Sequence, residues 1–152
     1  MGRTLTLILT VALLAGAGSL WGQSNELLDD LFEEPATTLE QAAYLVLTAA
    51  SLIPEDSSPA DAAAALADQG WTVPERSAEE PLTLGEYSHL LMQAFELNGG
   101  LMYRIFPGPR YAGRELAYLQ LIKGDISPYR TFSGEEAIGI LGRLMEWKEE
   151  RS

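Results

Sequence analysis

The chain has 152 residues, with 10 Lys+Arg against 22 Asp+Glu, one histidine, no cysteine and a formal net charge of −12. Without cysteine there is no disulfide, no thiolate metal site and no cysteine nucleophile, so the fold must be held by its apolar core. A surface this acidic repels phosphate backbones and anionic headgroups, and no nucleic-acid partner is expected.

Residues 1–22 read as an export signal peptide. Arg3 supplies a basic start, Leu5–Leu14 an apolar core and Ala17–Gly22 a small-residue exit. Cleavage after Ser19 or Gly22 puts the mature chain in the periplasm or at the cell surface, with no stable membrane insertion. The uncharged stretch 4–25 is long enough to span a bilayer, so an uncleaved anchor is the alternative. Losing residues 1–22 removes one base, Arg3, and no acid, leaving −13 on 130 residues, a length that suits one domain.

Residues 23–36 form an acidic leader, a short helix or a flexible stretch, with five carboxylates between Asn25 and Pro35. The remainder, 37–150, is expected to be mostly α: a compact helical domain of repeated helix–loop–helix modules. Thr38–Leu52 predicts a helix that stops before Pro54. Ala60–Gln69 predicts an alanine-rich helix closed by Gly70. Gly70–Pro81 is irregular, with Trp71 and Val73 as apolar anchors. Helices follow at Thr83–Asn98, Tyr111–Lys123 and Ser133–Glu149, and Met102–Phe106 is the one piece that suits a short extended segment. The expected core is Leu45, Ala63, Leu66, Trp71, Leu84, Tyr87, Leu91, Phe95, Leu116, Leu119, Phe132, Ala137, Leu141 and Leu144.

Three helix starts share one pattern. Thr38…Gln41, Thr83…Glu86 and Ser133…Glu136 each set a hydroxyl three residues before a Glu or Gln, which suits a capping box. The caps recur at intervals of 45 and 50 residues, and Leu45, Leu90 and Ile140 each lie seven positions after their cap. Before each of the last two caps comes a helix, then a glycine, then an irregular segment with an apolar anchor: Gly70-Trp71-Thr72-Val73 and Gly124-Asp125-Ile126-Ser127.

On these residues the chain resembles the S-layer homology (SLH) family of exported envelope proteins. The resemblance is carried by Ala60–Phe95 and Arg114–Trp147, with Thr38–Leu52 as the closing helix of an incomplete first module. The family's Thr-Arg-Ala-Glu corresponds to Thr83-Leu84-Gly85-Glu86 and Ser133-Gly134-Glu135-Glu136. Cap and glutamate match, whereas Leu84 and Gly134 replace the arginine that in family members helps hold an anionic wall polysaccharide. What the resemblance implies is an envelope module that contacts cell-wall glycan.

Chemistry-bearing sets are scarce. His89 is the only histidine, on a helix with a crowded apolar face, and is expected to be partly exposed or to make a structural hydrogen bond. Glu79-Glu80 and Glu135-Glu136 are sequence neighbours that point apart, and Asp56–Asp61 lacks the glycine and closing glutamate of a calcium loop. No catalytic, metal-ligating or cofactor-binding set is expected, and the chain is read as a non-enzyme.

Tyr103–Arg114 differs from the rest. Arg104, Arg110 and Arg114 gather with Tyr103, Phe106 and Tyr111 around Pro107-Gly108-Pro109 in an otherwise acidic chain. Arg104, Arg110, Tyr111 and Arg114 are the candidate contact residues, with Arg110 and Arg114 at the mouth of a groove, because guanidinium forks grip anionic groups and aromatics stack on sugars or partners. The opposing reading has the arginines neutralising helix carboxylates and the aromatics filling the core. The expected function is a non-enzymatic envelope-associated module that binds cell-wall glycan or an envelope protein. The alternatives are a structural or assembly protein with purely protein contacts, and an exported hydrolase.

Overall fold

The computed structural model describes residues 26–152; the signal reading of 1–22 lies outside them. The described residues are mostly α-helical and hold no β-sheet, only an isolated antiparallel bridge between Thr38 and Pro81. Helix α1 covers 26–33, followed by α2 (Leu39–Ala49), α3 (Pro59–Ala67), α4 (Leu84–Ala94), α5 (Leu101–Ile105), α6 (Pro109–Tyr118) and α7 (Gly134–Glu149). No helix among the described residues is long and apolar enough to cross a membrane.

The caps act as the spacing predicts, with one difference. Thr38 with Gln41 and Thr83 with Glu86 close complete capping boxes. Ser133 accepts the Glu136 N–H, but the Glu136 carboxylate turns instead to the Arg130 guanidinium, which grips it through both terminal nitrogens. A fourth box, Ser58 with Asp61, starts α3 ahead of Pro59 at its first position.

A helix begins with amides that have no partner within the helix. Here α2, α4 and α7 satisfy them from one another's flanking segments, in a cycle. Leu39 and Glu40, opening α2, donate to the Glu80 and Ala78 carbonyls ahead of α4. Leu84 and Gly85, opening α4, donate to Arg130 and Pro128 ahead of α7. Gly134, opening α7, donates to Glu34, which lies between α1 and α2. The segments before the caps interlock as well: Thr37 donates to Phe132 at 2.8 Å and Leu82 to Thr37 at 2.9 Å.

The core lies between α2, α4 and α7. Leu45, Leu90 and Ile140 are all buried in it. Tyr87 stacks on Phe132 at 4.9 Å and its hydroxyl donates to the Ala137 carbonyl at 3.0 Å. α3 packs on α2 through Ala62 and Leu66, and α6 packs on α4. That second contact is close because Gly85 and Gly113 bring no side chains; a Cβ on Gly85 would sit 2.9 Å from Pro109 and Pro128 atoms. Ten of the fourteen expected core residues are buried, Trp71, Leu119 and Leu141 are half-buried at its margin, and Ala63 is half-buried on α3. α1 joins the fold through Leu31, which is 2% exposed.

Helix ends depart from the sequence expectation. α2, α4 and α6 stop at Ala49, Ala94 and Tyr118, several residues early. Each exits through a non-glycine residue in the left-handed region, Ser51, Glu96 and Gln120. The next residue then reaches back five positions: Leu52 to Leu47, Leu97 to Met92 and Leu121 to Leu116, each at 2.8–2.9 Å. This bond satisfies a terminal carbonyl at each exit, and at Leu97 and Leu121, though not at the exposed Leu52, it also sets an apolar side chain against the core, offsetting the roughly 1–2 kcal/mol that a left-handed side-chain-bearing residue costs. Met102–Phe106 is not extended; most of it is the short helix α5. The segment has a single β-branched residue, Ile105, and Leu, Met and Arg favour helix where no neighbouring strand is present to pair.

Candidate functional site

Tyr103 is the one buried side chain of α5. Tyr103 is 8% exposed, packs edge-on to His89 and places its hydroxyl 2.9 Å from His89 Nδ1. Gly99 makes room for it, since a Cβ there would lie 2.7 Å from the Tyr103 ring. With Tyr103 turned inward, the rest of α5 and its exit face solvent: Leu101, Met102, Ile105 and Phe106 are 50–65% exposed. Leu101 and Ile105 are four apart, as are Met102 and Phe106, so both pairs repeat after one helical turn.

Arg104 stands exposed on this helix, and Arg110 and Arg114 are exposed one turn apart on α6. Phe106 stacks on the half-buried Tyr111 at 6.4 Å, and the Arg110 guanidinium lies 5.8 Å from the Tyr111 ring centre. The structure therefore brings Phe106, Tyr111 and Arg110 into contact, with Arg114 farther along α6 and Arg104 on α5. Among the described residues none of the three arginines forms an ion pair. The carboxylate-neutralising arginines are others: Arg76 holds Glu86 through its Nε at 3.0 Å, and Arg130 holds Glu136 and approaches Asp125 at 3.8 Å. Tyr103 fills the core as one reading expected, but Phe106 does not.

Among the described residues, three clefts lie elsewhere and are lined by none of Arg104, Arg110, Tyr111 or Arg114. One of about 590 Å³ runs between the α6 exit and the second half of α7, walled by Gln120, Lys123, Arg143, Glu146, Trp147 and Glu150 among others. There Arg143 Nε donates to the Leu121 carbonyl at 2.7 Å, and its guanidinium lies over the bare Cα of Gly139. Arg151 stacks on the Trp147 ring at 4.3 Å. Arg143 and Trp147 are four apart on α7, and the early exit of α6 opens the cleft that they flank. The others, about 290 and 210 Å³, lie beside Phe95 and Lys148 and beside Leu27 and Tyr44.

His89 has the structural role that sequence reasoning allowed, not partial exposure. It is 4% exposed, its Nε2 is buried without a partner, and the adjacent Ser88 hydroxyl is committed to the Leu84 carbonyl at 2.7 Å. Burial lowers its pKa below 6.5, because protonation would put a charge and an unpaired N–H in the core. Burial likewise raises the Tyr103 pKa, so the phenol stays neutral at ordinary pH. The lowered value means that the contribution of His89 to stability is fully present above pH 6.5 and is lost as pH falls through the lower folded-state value. The sole imidazole signal, followed by NMR, is expected to titrate below 6.5 in the folded protein. A folded-state midpoint above 6.5 would contradict this burial.

No protein-family model matches the chain, and neither a curated protein nor a solved structure is significantly similar to it.

Proposed function

We propose that this chain is an exported, non-enzymatic module that contacts an envelope protein through the α5–α6 surface. The observation that carries this reading is the patch itself. Four large exposed apolar side chains and three arginines that form no ion pair among the described residues lie on α5, its exit and α6, in a chain of net charge −12. Contiguous exposed apolar area rimmed by charge is characteristic of protein contact sites. Leu101, Met102 and Ile105 gain little against sugar hydroxyls, which favours a protein partner over a glycan. Export rests on the signal reading of residues 1–22.

The cycle of hydrogen bonds supports a modular reading. α3 with α4 and α6 with α7 are two helix–loop–helix modules, and α1 with α2 is a third whose first helix is short. Such an arrangement is compatible with the SLH resemblance. It also accounts for the missing arginines: Leu84 is fully buried, and Gly134 has backbone where a side chain would go. An anionic polysaccharide therefore cannot be gripped from those two positions, and the positive charge at α5 and α6 would serve a different contact. A glycan reading is favoured by one observation, the cleft where Trp147 and the fixed Arg143 stand beside Gln120 and Glu146.

Retention assays separate the readings. Changing Arg104, Arg110 and Arg114 together to alanine should cut retention by envelope extract at least about tenfold while leaving the melting temperature nearly unchanged. Lysine at the three positions should restore only part of the loss, because it keeps charge without the guanidinium fork. Retention by isolated cell wall that survives this change but is lost with Trp147→Ala would transfer the contact to the glycan cleft. Unchanged retention in both variants would refute both sites.

A further inference from the structure

We propose that the α5–α6 surface docks helix α1 of a second copy of this chain, joining copies head to tail. The inference rests on the reading of that surface as the contact site and names its occupant. α1 carries the complementary pattern. Leu28 and Phe32 are 37% and 51% exposed and, four residues apart, form an apolar ridge on one face. Exposed Asp29 and Glu33 follow that ridge on one side, and exposed Glu26 and Asp30 add negative charge around the rest of the helix. Across the interface, the pairs Leu101/Ile105 and Met102/Phe106 have the same one-turn spacing, and Arg104 and Arg110 supply the opposite charge. An acidic apolar helix thus meets a basic apolar one, with matching repeat along the axis.

A single copy does not satisfy itself. α1 is fixed on its own α7 by the buried Leu31 and by the Gly134-to-Glu34 hydrogen bond, and both faces are exposed in the same chain. The two surfaces differ, so the contact is heterologous; unless the rotation closes a ring, copies add end to end. The interface is small, which sets the expected dissociation constant on the order of 10–100 μM rather than nanomolar.

Sedimentation of the purified protein at low salt tests this with two exposed-surface variants. In wild type the average mass should climb with concentration and pass the dimer by about 1 mM, and added salt should lower it. Arg104→Glu with Arg110→Glu reverses the patch; Asp29→Lys with Glu33→Lys reverses α1. Each variant alone should be monomeric, with association weakened more than tenfold and unchanged circular dichroism. Mixed together they should assemble again past the dimer, because the native helix of one meets the native patch of the other and the reversed patch meets the reversed helix. A wild type that stays monomeric throughout, or a mixture that does not assemble, overturns the proposal. A wild type that stays monomeric but floats with phosphatidylglycerol vesicles overturns it in favour of a lipid surface. If the wild type is monomeric yet the patch-reversed variant loses retention by envelope extract, the contact surface stands and only its occupant is wrong.

Discussion

Gly134→Ala is expected to be among the most damaging single substitutions in this chain, although it adds one methyl group. A Cβ at Gly134 would overlap the Leu31 carbonyl oxygen and stand 2.7 Å from its carbon. Those are backbone atoms, so no rotamer change relieves the overlap; α1 must move off the start of α7. Movement breaks the Gly134-to-Glu34 hydrogen bond and uncovers Leu31, for an expected loss of about 2–4 kcal/mol. Hydrogen exchange should show α1 losing protection before the rest of the fold. Gly142 on the same helix is the control, since nothing lies within 4 Å of a Cβ there. Gly142→Ala should stabilise by about 0.5–1 kcal/mol, because glycine inside a helix gives up more chain entropy on folding. Equal effects at the two positions would contradict the α1–α7 packing.

Tyr87→Ala should cost about 3–5 kcal/mol, the range for removing a large buried aromatic. Tyr87 is fully buried, supports Phe132 by stacking, and bonds to the Ala137 carbonyl, so it links α4, the segment before α7, and α7 itself. Burial also raises its pKa well above the ordinary phenol value, keeping the hydroxyl protonated as a donor. Tyr87→Phe keeps the ring and removes only that bond, so about 1 kcal/mol is expected from denaturant unfolding. If phenylalanine were as damaging as alanine, the hydrogen bond rather than the packing would hold this centre.

The caps were legible because a capping box is a conversation among residues three apart. Thr38, Thr83 and Ser133 announce α2, α4 and α7 whatever surrounds them, and the residues seven positions on point inward as helical periodicity requires. Helix ends were less legible. A glycine marks an exit, as Gly70 does with its φ of +69°, but Ser51, Glu96 and Gln120 take the same left-handed conformation without that mark. Their exits share the backbone bond that the following leucine makes to a carbonyl five positions back. Sequence reasoning singles out Arg104, Arg110, Tyr111 and Arg114 as a basic aromatic cluster, with Arg110 and Arg114 expected at the mouth of a groove. It passed over Leu101, Met102 and Ile105, because an apolar run looks like core until a structure shows which side Tyr103 takes.

What the sequence by itself determined is the local half of this protein: a helical chain without cysteine, three capped helix starts, a core stripe on each, and a basic aromatic cluster in an acidic background. Those features depend on hydrogen bonds and periodicities spanning a few residues. Only the tertiary structure decided that the amides opening α2, α4 and α7 close a cycle, that α1 packs against Gly134, and that α5 turns its apolar side chains outward. Each depends on partners tens of residues away. A backbone amide carries no residue label, so its choice of distant carbonyl is written in the packing and not in the sequence around it.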